Sequence, residues 1–131
     1  MEEKKKILAI DDDPMTLKVI MNLLSPAFDL RISKSASDAT IIMNQELPDL
    51  ILLDIEMPNV SGFEFLHTIK KHPKFMNIPV VIVSGHCETE FVIHAENAGA
   101  SAVVAKPIYE DDLLKKMDYA FKNPRKNILG S

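Results

Sequence analysis

Five short apolar segments, separated by longer amphipathic ones, dominate this chain. They are KILAI (6–10), FDLRIS (28–33), DLILLD (49–54), PVVIVS (79–84) and SAVVA (101–105). Three of the five are almost wholly apolar, which is typical of strands buried on both faces of a sheet. FDLRIS instead alternates, with Phe28, Leu30 and Ile32 on one side, so we expect it at the sheet edge.

The segments between these runs have helical spacing of apolar residues. They are predicted at residues 14–24, from Ser35 or Ser37 to before Pro48, and at 63–71, 88–97 and 109–121. Asp13 can cap the first helix, with Pro14 at its first position. Ser61 and Glu64 form a capping-box pattern before the third. In the fifth helix, four apolar residues are expected to face the sheet: Leu113, Leu114, Met117 and Phe121.

Regular alternation of strands and helices predicts an α/β fold, with right-handed crossovers and a doubly wound parallel sheet covered on both faces. The 131 residues favour one domain. We expect that domain over residues 1–123, and a C-terminal tail or the start of a linker over 124–131. In such a sheet, ligands bind outside the carboxyl ends of the strands, where the strand order reverses.

Polar residues stand at the carboxyl ends of four predicted strands. Residues 11–13 are three aspartates, Asp54 ends the third strand, Ser84 ends the fourth and Lys106 follows the fifth. Carboxylates this close repel one another unless one is protonated or a cation lies between them. Oxygen ligands without cysteine or histidine suit Mg²⁺ better than Zn²⁺.

Such a site has the groups that phosphoryl transfer needs. Asp54 is the candidate nucleophile, which would form an acyl phosphate. Lys106 and the metal would neutralise the phosphoryl oxygens, and Ser84 would donate a hydrogen bond to them. The chain breaks into a loop after Asp54, where the backbone carbonyl of Glu56 can complete the metal shell.

Charge and composition restrict the partners. A net charge of -4 argues mildly against nonspecific nucleic-acid binding. The single cysteine, Cys87, excludes an intramolecular disulfide and fits a reducing cytosol. The start MEEKKKILAI has too short an apolar stretch for a signal peptide or a spanning helix. We therefore expect a cytoplasmic chain that binds neither nucleic acid nor membrane.

Four segments together resemble the response-regulator receiver domain of two-component signalling. They are ILAIDDDP (7–14), PDLILLDIEMPNVSGFEFL (48–66), IPVVIVSG (78–85) and AGASAVVAKPI (98–108). Each segment alone is a weak signal, but the ordered set at these separations is very specific and covers nearly the whole chain. The resemblance implies a flavodoxin-like (βα)5 fold with strand order 2-1-3-4-5.

The resemblance also implies roles for the site residues. Asp12 is expected to ligate Mg²⁺ directly and Asp11 mainly through water, with Asp54 and the Glu56 carbonyl completing the ligands. Asp54 is the expected phosphoacceptor. Ser84 is expected to follow the phosphoryl group.

Lys106 matches the family's invariant lysine, and its bond to Pro107 is expected to be cis.

The chain departs from the family pattern at two positions. The switch hydroxyl is often threonine but here is Ser84. The partner switch residue is usually tyrosine or phenylalanine, three residues before the lysine, and here it is Val103. We therefore expect a weaker or differently wired signal at the surface of the fourth helix, fifth strand and fifth helix. In this family, the side chains two residues past the phosphoacceptor and two past the switch hydroxyl overlook the site and tune removal of the phosphoryl group. The resemblance gives this role to Glu56 and His86, with an ordinary surface position as the alternative for each.

The implied function is a phosphoacceptor switch in a phosphorelay. The expected phosphodonor is a sensor histidine kinase or a phosphotransfer protein, and the output is an unknown partner or a missing C-terminal output domain. The chain is not expected to be an enzyme beyond self-phosphorylation and self-dephosphorylation.

Two alternatives from other classes stay open. A Mg²⁺-dependent phosphohydrolase with an aspartate nucleophile could use DDDPMT (11–16), with Asp111 and Asp112 as its late acidic pair. Met15 stands where that class has a small hydroxyl or branched residue, and Asp54 would have no role. A flavin binder of the same fold needs a phosphate loop after the first strand, where this chain has three acids that repel phosphate.

Overall fold

The structure is a computed structural model that describes residues 3–57 and 61–124. The strands are β1 (Lys6–Ile10), β2 (Asp29–Ser33), β3 (Leu50–Asp54), β4 (Val80–Ser84) and β5 (Ala102–Ala105). The helices are α1 (Pro14–Leu24), α2 (Ala36–Gln45), α3 (Gly62–Lys71), α4 (Thr89–Asn97) and α5 (Glu110–Lys122). Most of the tail predicted over 124–131 lies outside the described residues. None of the described helices combines the length and apolarity that crossing a bilayer requires.

The five strands pair in parallel in the order β2-β1-β3-β4-β5. This confirms the predicted doubly wound α/β fold and its strand order. It also confirms that the alternating segment, β2, lies at an edge. The strand order reverses between β1 and β3, so the carboxyl ends of these two strands border the crevice where ligands bind in such sheets.

Successive side chains of the central strands point to opposite faces of the sheet, and both faces are covered. On one face Leu8 and Ile10 pack in a core with residues of α2, α3 and α4. On the other face Ile7 and Ala9 pack with residues of α1 and α5. Two-sided burial explains why β1, β3 and β4 read as continuous apolar runs.

Side-chain caps begin three of the helices. Asp13 caps α1, accepting hydrogen bonds from the Met15 amide at 3.0 Å and the Thr16 hydroxyl at 2.9 Å, as predicted. Ser35 caps α2. Ser61 caps α3 but accepts from the amide of Phe63, one residue earlier than a capping box requires.

One burial prediction is wrong. Leu114 is 39% exposed, although we expected it to face the sheet. The buried stripe of α5 is Leu113, Met117 and Ala120. Leu114 follows Leu113 by about 100° around the helix, which moves it off this stripe. The other differences are shifts of one or two residues at element boundaries.

Candidate functional site

The carboxyl ends of β1, β3, β4 and β5 bring the predicted site residues to one edge of the sheet. Asp11, Asp54 and Ser84 are buried there, with 1%, 3% and 1% of their surface exposed. Asp12 is exposed beside them. Asp13 serves the helix cap instead, and its hydrogen bonds from the Met15 amide and the Thr16 hydroxyl lower its pKa.

Lys106 joins the two buried carboxylates. Its Nζ atom lies 3.2 Å from Asp11 Oδ2 and 3.3 Å from Asp54 Oδ1. Its backbone amide donates to the carbonyl of Ser84 at 2.9 Å, which ties the turn after β5 to the end of β4. The Lys106–Pro107 bond is cis, as predicted. One ammonium therefore holds acids that are 43 residues apart in sequence.

Three carboxylates meet at this edge. Ligand oxygens of Asp11, Asp12 and Asp54 all lie within 4.8 Å of one another. Asp11 Oδ2 is buried and receives no hydrogen bond from the described residues, although it lies near the Lys106 ammonium. Three clustered carboxylates, two of them sharing the Lys106 ammonium, form an oxygen donor set that fits a hard cation such as Mg²⁺.

The electrostatics reflect this crowding. Burial, and then the nearby charge of Asp11, raise the pKa of Asp54 to about 6, although Lys106 and the Glu56 amide work in the opposite direction. Burial works to lower the pKa of Lys106, but Asp11 and Asp54 outweigh it, so this pKa is raised. The ammonium of Lys106 therefore stays charged. The ionised form of Asp54 is disfavoured, and a bound cation would offset its charge.

The loop after β3 is shaped around Asp54. The Glu56 amide donates to Asp54 Oδ1 at 3.2 Å, and the Gly62 amide donates to the carbonyl of Ile55 at 3.0 Å. A Cβ atom at position 62 would stand 2.8 Å from the carbonyl oxygen of Asp54 and would also clash with the backbone of Ile55. Only glycine lets α3 begin this close to the candidate acceptor.

At the rim of the site Glu56 and His86 form a contact that we did not predict from the sequence. His86 Nε2 lies 3.1 Å from Glu56 Oε1, and both side chains are largely exposed. The amide of His86 also donates to Ser84 Oγ at 3.0 Å. Each residue follows a strand end by two positions, and adjacent parallel strands β3 and β4 bring such positions together. That shared offset was the available sequence signal.

An apolar cleft of about 200 Å³ lies beside Lys106 on the α1 side. Met15, Val19 and Ile108 contribute its apolar lining. Met15, which is 70% exposed, forms part of the solvent-facing wall of this cleft.

Residues 7–118 match the response regulator receiver domain family. The chain is 29% identical over 115 residues to Response regulator Rre1 of Synechocystis sp.. The aligned region covers 86% of this chain and 50% of that protein. It is 29% identical over 114 residues to Protein PilH of Pseudomonas aeruginosa, covering 86% and 94% of the two chains. The match spans most of the chain, so this protein belongs to the response regulator receiver domain family.

A solved structure of another receiver domain has the same fold. A CheY-like response regulator receiver domain protein of Methanospirillum hungatei superimposes with a TM-score of 0.81 at 28% identity, covering 93% of this chain and 97% of that one. This chain spans about half the length of the Synechocystis regulator, and 15% of the regA cyclic-nucleotide phosphodiesterase of Dictyostelium discoideum. The likeness therefore concerns the receiver domain and not the remainder of those longer proteins.

Proposed function

We propose that this receiver domain is a phosphoacceptor switch of a two-component phosphorelay and that Asp54 accepts the phosphoryl group. The observation that carries the proposal is the pair of buried carboxylates, Asp11 and Asp54, joined by Lys106 at the carboxyl edge of the sheet. A carboxylate whose pKa is raised to about 6 inside such a cluster is a candidate for a chemical role rather than a structural one.

In the proposed reaction a carboxylate oxygen of Asp54 attacks phosphorus. The bond from phosphorus to the donor breaks, and its electron pair leaves with the donor group. Asp11, Asp12, Asp54 and the backbone carbonyl of Glu56 would hold Mg²⁺, with Asp12 as a direct ligand and Asp11 acting mainly through water. When bound, the ion supplies positive charge that neutralises the phosphoryl oxygens.

Lys106 and Ser84 would serve the phosphoryl group on either side. Lys106 already contacts Asp54 and would pair with a phosphoryl oxygen once the carboxylate has become an acyl phosphate. Ser84 Oγ accepts from the amide of His86, so its own proton is available to donate. The same groups would support hydrolysis by water, and we infer that the chemistry is limited to self-phosphorylation and self-dephosphorylation.

The proposed phosphodonor is a sensor histidine kinase or a phosphotransfer protein. The cleft lined by Met15, Val19 and Ile108 also includes Lys106, and it gives such a partner a mainly apolar surface beside the reacting groups. We propose residues 1–123 as the receiver unit and 124–131 as a tail or linker toward an output domain or partner. A cytoplasmic location, without direct binding to nucleic acid or membrane, completes the proposal.

The phosphohydrolase alternative gains nothing from the geometry. Its acidic pair, Asp111 and Asp112, lies in the first turn of α5 and is not part of the cluster of Asp11, Asp12 and Asp54. Asp112 instead pairs with Lys116 at 3.0 Å. That reading would also leave the buried Asp54 without a function.

Intact mass tests the proposal. The wild-type chain and Asp54→Asn are incubated with Mg²⁺ and acetyl phosphate. We expect the wild type to gain one phosphoryl group that is lost at alkaline pH, and Asp54→Asn to gain none. An equal gain in both proteins would exclude Asp54 as the acceptor. Steady turnover of p-nitrophenyl phosphate would instead support the phosphohydrolase.

A further inference from the structure

A continuous series of side-chain contacts leads away from the rim of the site. Glu56 pairs with His86, whose ring centroid lies 6.0 Å from that of Phe91 on α4. Phe91 lies 5.7 Å from Phe63 in the first turn of α3. Phe63 in turn contacts His94 of α4, edge to face, at 4.6 Å. We call His86, Phe91, Phe63 and His94 the ring chain.

The inner end of the ring chain is attached to the hydroxyl that would bind the phosphoryl group. The amide of His86 donates to Ser84 Oγ, so a turn of this hydroxyl toward Asp54 changes a hydrogen bond that fixes the His86 backbone. The spacings along the chain lie in the range at which aromatic rings interact favourably. A displacement of His86 therefore acts first on Phe91, the next ring of the series.

The ring chain ends on the most weakly anchored helix. Of the nine described residues of α4, only Ala95 is buried, and its N-cap residue, Glu88, makes no side-chain capping bond. By contrast, α5 buries Leu113, Met117 and Ala120. Elements with few buried apolar contacts have the lowest cost of local displacement. This makes α4, with the α3 turn it touches, the element that a small change at the rim can move.

On the face formed by α4, β5 and α5, β5 presents Val103 at the position three residues before Lys106. Val103 of β5 is an aliphatic residue in the wall of an open groove of about 510 Å³. Its carbonyl accepts a hydrogen bond from Lys116 at 2.9 Å, which ties β5 to α5. A β-branched side chain has few rotamers and no ring to exchange between buried and exposed positions.

We propose that the ring chain couples the Asp54 site to the outer surface of α3 and α4, so that this surface, and not the one around Val103, responds to phosphorylation. The inference rests on the proposed phosphoacceptor role of Asp54 for its trigger. The mechanical coupling between His86 and α3 does not depend on that role, and it can be tested without a phosphodonor.

The first experiment measures amide hydrogen exchange without a phosphodonor. His86→Ala is expected to speed exchange in the first turn of α3 by about two- to tenfold, the effect of losing one aromatic contact. In a Phe91→Leu background the same substitution should have no further effect on α3, because the intervening ring is gone. Phe121→Leu, a half-buried ring on α5 outside the chain, is the matched control background and should leave the His86→Ala effect intact.

The second experiment repeats the measurement with Mg²⁺ and acetyl phosphate, after intact mass has shown that Asp54 is modified. Exchange should change in α3 and α4 of the wild type and of Phe121→Leu, and this change should be lost in Phe91→Leu. A change confined to β5 and α5, or one that persists in Phe91→Leu, would overturn the coupling. No mass gain would refute the phosphoacceptor role, and the donor-free cycle would then decide the coupling alone.

Discussion

Lys106 Nζ and Asp54 Oδ1 lie 3.3 Å apart, across strands whose residues are 52 positions apart in sequence. Replacing the ammonium by the uncharged Lys106→Met should slow phosphorylation of Asp54 by about a hundredfold, the usual cost of losing one preorganised charge at a reacting centre. The rate of mass gain with acetyl phosphate measures the effect. Lys122→Met, which removes an exposed ammonium paired with Asp118 on α5, is the control and should react at the wild-type rate. Equal rates for Lys106→Met and the wild type would contradict the role of Lys106.

The raised pKa of Asp54 has a consequence for stability. The folded chain holds this proton more tightly than the unfolded chain, so the unfolded state binds fewer protons between about pH 4 and pH 6. The stability from this group is therefore present below pH 4 and lost as pH rises through about 6. A pKa raised from 3.8 to about 6 corresponds to about 3 kcal/mol.

Asp54→Asn removes this penalty. Without metal, we expect the variant to be more stable than the wild type by about 3 kcal/mol at pH 8, and equal to it near pH 3, below both pKa values, where Asp54 is protonated in the folded and the unfolded state. Urea denaturation in the presence of a chelator at the two pH values measures the difference. A constant difference across this range would show that Asp54 is not the group responsible.

Mg²⁺ should stabilise the wild type at pH 8, because an ion that binds only the folded chain shifts unfolding by mass action. The gain should shrink toward pH 5, where protons compete for the carboxylates. Asp12→Asn should abolish most of the gain, whereas Asp38→Asn, an exposed acid in the first turn of α2, should keep it. Thermal denaturation with increasing Mg²⁺ provides the measurement, and an unchanged gain in Asp12→Asn would exclude this residue as a ligand.

The sequence allowed prediction of the fold and of the chemical groups of the site, but not of how neighbouring loops meet. The ends of the strands can be predicted because strands buried on both faces appear in the sequence as continuous apolar runs. The parallel topology then predicts that Asp11, Asp54 and Lys106 lie at one edge of the sheet. The Glu56–His86 bridge depends on side-chain directions in two loops, which no periodicity encodes. Leu114 was misassigned for a related reason, since a one-residue rotation on a helix exceeds the precision of an apolar pattern.

Gly62 offers a test of the geometry next to Asp54. Gly62→Ala should destabilise the chain by about 2 kcal/mol or more, because the new Cβ meets the backbone of Asp54 and Ile55, which cannot yield as a flexible side chain can. Gly85→Ala is the matched control, as a Cβ there meets no atom of the described residues within 4 Å. Chemical denaturation compares the two, and similar stabilities would contradict the close approach of α3 to β3.

The Glu56–His86 bridge predicts how long the phosphoryl group lasts. Both residues stand at the mouth of the site, so breaking their contact at 3.1 Å should admit water more readily. We expect Glu56→Ala and His86→Ala each to speed loss of the phosphoryl group by about two- to fivefold, a small effect because contacts between exposed polar side chains contribute little. Intact mass, followed over time after removal of the donor, gives the rate.

The double variant distinguishes one shared contact from two separate effects. If the bridge itself retards water, Glu56→Ala combined with His86→Ala should hydrolyse no faster than either single variant, since the second substitution removes nothing further. Glu64→Ala, an exposed acid in the first turn of α3, serves as the control and should leave the rate unchanged. Multiplicative effects in the double variant would show that each side chain acts on the acyl phosphate independently of the other.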